Sequence, residues 1–188
     1  MAFAVVIDAC VLIPMTTTDL LLRMADARHF RILWSADILD EVERNLVSRL
    51  NLTPESARRR VSTMQDHFPD AMINDYVGLI PSMTNDEKDR QVLAAAVRAN
   101  AEVIVTSNRK DLPRTSTAPY EIEVLTPDDF LLDQLDLHPQ EILEITDRIV
   151  TDMRHPSLTW KEYADLLHDK AALPLFASEL RRLRSAHR

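Results

Sequence analysis

Asp8, Glu41, Asp86, Asp89 and Asp111, with Thr106 and Asn108 between the last two, carry the side chains that metal-assisted chemistry requires. Asp8 interrupts the apolar stretch "VVIDACVLIP", directly after what reads as a short buried strand. A carboxylate in that position is costly unless something partners it. Asp8 therefore either starts a turn or holds a cation or a proton. Glu41 falls about two turns into a helix that begins at Ser35, beside Leu39 and Val42 at the rim of its buried face. Asp86 and Asp89 are three residues apart at the start of an alanine-rich helix. They share one side of its first turn, where the helix dipole favours negative charge. Thr106, Ser107 and Asn108 follow the strand "VIV". In a parallel sheet they lie on the same edge as Asp8, the carboxyl edge at which open α/β sheets bind ligands.

Carboxylates gathered on one edge repel each other and raise some of their pKa values until a cation enters. Oxygen donors without a cysteine cage select Mg2+ or Mn2+ over zinc. Such a cluster suits phosphodiester hydrolysis, in which the metal activates a water and neutralises the phosphate oxygens. No serine, histidine or cysteine nucleophile is required, and the six histidines show no ligand spacing. Taken singly, each residue has an ordinary reading. Asp8 can start a turn, Glu41 can be a solvated helix residue, Asp86 can cap its helix, and Asn108 and Asp111 can form turns. Their order and spacing favour the shared site.

The elements that must position these residues alternate. Strands are predicted at Ala4 to Ile7, at "FRILW", at "EVIVTSN" and at "YEIEVLTP", with a strand or extended segment around Val77 to Ile80. Helices are predicted in "TTTDLLLRMADARHF", from Ser35 as N-cap, after Pro54, and in "TNDEKDRQVLAAAVRANA". That alternation predicts a three-layer α/β/α sandwich with a central parallel sheet. After Pro127 the strand signals stop and four amphipathic helices follow, each with a proline or hydroxyl residue near its start. We therefore expect a domain over residues 1–131 and a helical extension over 132–188.

Composition narrows the function. The 188 residues are 46% hydrophobic and 28% charged, which fits a folded globular chain. The single glycine, Gly78, excludes phosphate loops, dinucleotide fingerprints and nucleophile elbows, all of which need several. A net charge of −8 argues against broad nonspecific nucleic-acid binding. One cysteine, no membrane-length apolar run and no basic leader predict a cytoplasmic protein without disulfides.

Four blocks together resemble the PIN-domain ribonucleases, in particular the VapC-type toxins of toxin–antitoxin pairs. They are "VVIDACVLIP", "WSADILDEVERNL", "DEKDRQVLAAAVRANAEVIVTSNRKDLP" and "LTPDDFL", in the family's order over most of residues 3–131. The resemblance implies a PIN-like sandwich and a Mg2+- or Mn2+-dependent endoribonuclease. Its acids fall on Asp8, Glu41 and Asp89, with Asp86 as an adjacent candidate. The fourth position, usually Asp, holds Asn108, and Asp111 in "NRKDLP" is the residue that would supply the missing charge. Thr106 is implied as a hydroxyl beside the metal or the RNA. The resemblance also implies an RNA substrate, often tRNA or rRNA, a small antitoxin that blocks the acidic site, and a homodimer. The same order fits an RNA-processing PIN nuclease, and Asn108 leaves a non-catalytic binding module open. Arg109 and the tail arginines Arg181, Arg182, Arg184 and Arg188 are candidate contacts to RNA phosphates; an exposed helix face explains the tail group equally well. Trp34 and Trp160 read as core residues more than as base-stacking platforms.

Overall fold

The computed structural model describes residues 2–154 and 157–186. Along the chain lie β1 (Ala4–Ile7), α1 (Ala9–Leu12), α2 (Met15–Asp26), β2 (Arg31–Ser35), α3 (Ala36–Leu50), α4 (Pro54–His67) and β3 (Met72–Ile73). They are followed by α5 (Arg90–Arg98), β4 (Val103–Val105), α6 (Arg114–Thr117), β5 (Glu123–Leu125), α7 (Pro127–Leu137), α8 (Pro139–Asp152), α9 (Trp160–Asp169) and α10 (Pro174–Ala186). Packing separates two units. One holds the segment ending at Ile13 and Phe30–Leu125; the other holds Pro14–His29 and the chain from Thr126 onward. The sequence pattern places the boundary after residue 131, with residues 14–29 in the first domain. In the structure α2 packs on α8, a tertiary contact that hydropathy along the chain does not reveal.

The first unit is built on a five-stranded, wholly parallel sheet in the order β3-β2-β1-β4-β5, the α/β sandwich expected from the alternating pattern. Val5, Val6 and Ile7 are fully buried, as are Ile104 and Val105, so the central strands read as continuous apolar runs. Their β-branched side chains suit a sheet covered on both faces. The helices are capped from sequence: Ser35 Oγ accepts from Ile38 N at 3.3 Å to open α3, and Thr53 Oγ1 accepts from Ser56 N at 3.2 Å to open α4. Trp34, 0% exposed, is a core residue edge-on to Phe68.

Two local expectations are corrected. The segment predicted as a strand or extended segment around Val77 to Ile80 forms a 3-10 helix, Val77–Ser82. Pro81 within it has no amide hydrogen for a ladder, and Val77 faces solvent. The third strand is instead the two-residue β3, registered against Trp34 and Ser35 of β2. The helix predicted from Thr84 becomes α only at Arg90; before it, Glu87–Asp89 form a 3-10 turn capped by Asp86.

The second unit is all helical, with Leu20, Leu21, Met24, Phe130, Leu135, Ile142, Tyr163 and Phe176 among its buried side chains. Thr126 caps α7, and Thr159 with Glu162 forms a capping box on α9. The buried Asp128 carboxylate accepts from the Leu175 and Phe176 amides, both at 2.9 Å, which fixes the start of α10. Among the described residues no helix is long and apolar enough to cross a membrane.

The Ser35 cap is both buried and structural. Ser35→Ala is expected to lower the unfolding free energy by about 1 kcal/mol, read from urea unfolding as a lower midpoint at unchanged slope. An unchanged midpoint would show that the cap contributes nothing.

Candidate metal centre

Strand order reverses at β1, with β2 on one side and β4 on the other. The crevice at the carboxyl ends of β1 and β4 is therefore the topological switch point of the sheet. Asp8 is the first residue beyond β1, and its amide continues the ladder to Val105 O at 3.0 Å. The side chain is 6% exposed, and three donors meet it. Oδ1 accepts from Ala9 N at 2.7 Å, while Oδ2 accepts from Thr106 Oγ1 at 2.6 Å and from Cys10 Sγ at 3.1 Å. Asp8 is thus both the cap of α1 and a buried anion that points across the β1–β4 seam.

Thr106, fully buried just after β4, links the strand ends. Its hydroxyl donates to Asp8 and accepts from Asn108 N at 3.0 Å, which shapes the loop that carries Asn108 and Asp111. Cys10 is the residue the sequence reading did not place here. Its thiol meets Asp8, lies 3.6 Å from Thr106 Oγ1, and accepts from Ser107 N at 3.4 Å. Burial, followed by the Asp8 charge, pushes the thiol pKa up to about 12, so it remains a protonated donor. The available signal was its position two residues after Asp8, where one turn of helix folds the side chain back.

The other predicted acids approach from α3 and from the segment before α5. Glu41 is half-buried on α3, and burial followed by the Asp8 charge raises its pKa. Asp89 is half-buried at the junction with α5. Its pKa is raised to about 6 by burial first, then by Asp8, Asp111, Glu41 and Asp86. Asp86 is exposed and serves the ordinary role as well, accepting from Lys88 N at 3.1 Å. Its own amide donates to Asp111 O at 3.2 Å, which ties the two acidic loops together. Asn108 Nδ2 donates to Asp111 Oδ2, so the amide steadies a neighbouring carboxylate and keeps its carbonyl oxygen as an acceptor.

All donors here are oxygens, the preference of a hard cation. Among the described residues no three of these acids bring one oxygen each within 4.8 Å of one another. A hard cation such as Mg2+ keeps several waters and takes only one or two carboxylates directly, so its ligation does not require three converging oxygens. Of the predicted RNA contacts, Arg109 is exposed beside Asn108. Arg181, Arg182 and Arg184 lie in the helical unit and are paired there, with Asp165, Glu179 and Asp147. Arg184 also stacks on Trp160, 4.7 Å from its ring centre. Arg188 falls outside the described residues.

The raised Asp89 pKa sets a pH dependence. Below its ordinary value of 3.8, Asp89 is protonated in folded and unfolded chains alike. Between there and about 6 the folded state holds the proton more tightly, so rising pH erodes stability through that window. Metal-free Asp89→Asn is therefore expected to melt above the wild type at pH 7.5, with the gap closing as the pH falls to 4. A gap that is absent, or equal at both pH values, would contradict this.

Comparison with known proteins agrees with this architecture. Residues 4–110 match the family model described as PIN domain, and residues 127–182 match the one described as VapC50 C-terminal domain. A protein of Mycobacterium tuberculosis (strain ATCC 25618 / H37Rv) named "Putative ribonuclease VapC50" is 46% identical over 108 residues. That alignment covers 57% of this chain and 63% of that protein, so the match spans less than two thirds of the relative's length. No solved structure matches the chain. With the first model covering more than half of the chain, including Asp8, Glu41, Asp89, Thr106 and Asn108, the chain belongs to the PIN-domain family.

Proposed function

We propose that the chain is a Mg2+- or Mn2+-dependent endoribonuclease, the toxin of a VapBC-type toxin–antitoxin pair that restrains growth by cutting RNA. The observation that carries this reading is the gathering of Asp8, Glu41, Asp89 and Asp111 around the carboxyl edge of the sheet, where burial first and then the neighbouring carboxylates raise the Asp89 pKa. Carboxylates that repel one another in an all-oxygen site are a receptor for a hard cation. The ribonuclease assignment is supported by PIN family membership and by the name of the mycobacterial relative.

Asp8, Asp89 and Glu41 are the residues that would hold the ion, with Asp86, Asp111 and the Asn108 carbonyl around them. When bound, it supplies an activated water and neutralises phosphate charge. The protein's own part is orientation. Thr106 and Cys10 donate to one oxygen of Asp8 and Ala9 N to the other, which fixes the carboxylate before any ligand arrives. Asp89 gives up its proton as the site fills, so loading strengthens as the pH rises through about 6. Arg109, beside Asn108, is placed to meet an RNA phosphate. Arg181, Arg182 and Arg184 would first exchange their carboxylate partners. The antitoxin would be a small protein that brings a basic side chain to the acidic site.

The decisive experiment is incubation of purified, antitoxin-free protein with total cellular RNA, tRNA and rRNA included, in Mn2+, Mg2+ or EDTA. Discrete fragments that require metal are expected, and Asp8→Asn should reduce their rate by about two orders of magnitude or more. Metal-dependent cleavage that survives in Asp8→Asn would refute the assignment. Absence of cleavage by the folded protein across these RNAs would favour the non-catalytic binding module that Asn108 leaves open.

Asn108 has a test of its own. Asn108→Asp replaces the amide donor to Asp111 with a second carboxylate. The metal-free variant is expected to melt below the wild type and to gain more from Mn2+ than the wild type does. Equal Mn2+ responses would place Asn108 outside the metal centre.

A further inference from the structure

Among the described residues, the tightest gathering of metal-ligating side chains lies outside the acidic cluster, within the helical unit. His29, His138 and Glu141 each bring one ligand atom within 4.8 Å of the others. Glu141 Oε2 is 3.6 Å from His29 Nδ1 and 3.5 Å from His138 Nδ1. The two imidazole rings are 4.7 Å apart between centres and tilted by 49°.

Local structure fixes all three. Arg28, with φ at 64°, ends α2 in the left-handed conformation, and His29 N donates back to Met24 O at 3.1 Å. His138 closes α7 through its amide to Gln134 O at 2.9 Å and stands at the start of α8. Glu141 is three residues further on, so the two share one side of the first turn. Because α2 packs on α8, His29 faces this pair.

The contacts within the trio are left unresolved by protein atoms alone. Neither histidine hydrogen-bonds the carboxylate, since 3.5 to 3.6 Å is too long. The His29 side chain is 5% exposed, and its Nε2 is buried without a hydrogen-bond partner. With the proton on Nε2, the Nδ1 lone pair faces a carboxylate, which is repulsive. With the proton on Nδ1, neither ring nitrogen is satisfied. A cation bound at Nδ1, with the proton on Nε2, replaces the repulsion between that lone pair and the carboxylate with ligation by both. Tetrahedral zinc at the usual bond lengths separates neighbouring ligand atoms by about 3.3 Å, close to the distances seen.

We propose that His29, His138 and Glu141 form a Zn2+ site that clips the end of α2 to the start of α8, separate in its ligands from the acidic cluster. Two imidazoles and one carboxylate select a borderline divalent ion over Mg2+, and the fourth position is left to water or to another donor. His29, buried between the helices, makes the clip a link between segments more than 100 positions apart in the sequence. This site does not depend on the nuclease reading.

The test uses the full chain stripped with a chelator. Zn2+ affinity is measured by competition with a chromophoric chelator, geometry from the visible spectrum of Co2+, and the clip from the melting temperature with and without Zn2+. The wild type is expected to bind Zn2+ with tetrahedral-type Co2+ absorption and a raised melting temperature. Glu141→Gln changes an exposed side chain and His138→Ala a half-buried one, and both leave the largely buried His29 side chain in place, so both should fold. Each should weaken Zn2+ at least about tenfold and lose the thermal gain. Asp8→Asn should keep both. Unchanged affinity in His138→Ala and Glu141→Gln, or loss in Asp8→Asn instead, would overturn the proposal.

Discussion

A buried anion organises the first unit. Asp8 is brought to the centre of the sheet edge by four apolar residues that have to be covered on both faces, and the charge would be prohibitive there without donors. The fold meets it with a backbone amide, a buried hydroxyl and a thiol. Those donors come from both sides of the seam, Ala9 and Cys10 following β1 and Thr106 following β4. The same bonds that stabilise the carboxylate therefore hold the two central strand ends in register. Thr106 extends this order outward, because its hydroxyl also shapes the loop of Asn108 and Asp111.

The surroundings of Asp8 are electrostatically frustrated by the same logic. Glu41 and Asp89 each pay for their approach with a raised pKa, and burial is the leading cause in both, ahead of the charge on Asp8. Cys10 responds in the opposite functional sense. Burial and the nearby anion hold it protonated, so it acts as a donor and not as a nucleophile. Function and stability pull apart in such a site, which is a common property of binding centres. The helical unit contains a smaller version of the problem in His29, whose buried nitrogen finds no partner.

Much of this was legible from residue types and spacing. Continuous β-branched runs marked the central parallel strands, and hydroxyl and proline caps marked Ser35, Pro54 and Pro127 as helix starts, because each acts through the backbone within one turn. Where signals conflicted, the local chemistry decided: Pro81 offers no amide hydrogen to a ladder, the Val77 segment forms a 3-10 helix, and the sheet takes the two residues at Met72–Ile73 instead. Two residues cannot display a period, so this strand carried no sequence signal of its own.

The sequence alone determined the order of the acids, the parallel α/β pattern that places Asp8 and Thr106 on one edge, and the departure at Asn108. All three depend on local periodicity or on residue identity, which are properties of the chain as written. Only the tertiary structure decided that Cys10 joins Asp8, that Asn108 pairs with Asp111, that α2 leaves its neighbours to pack with the C-terminal helices, and that His29 meets His138 and Glu141. These arrangements turn on distances between side chains and on contacts between segments far apart in sequence. Spacing can place a residue on a face of its own helix, but only packing determines which other face it meets.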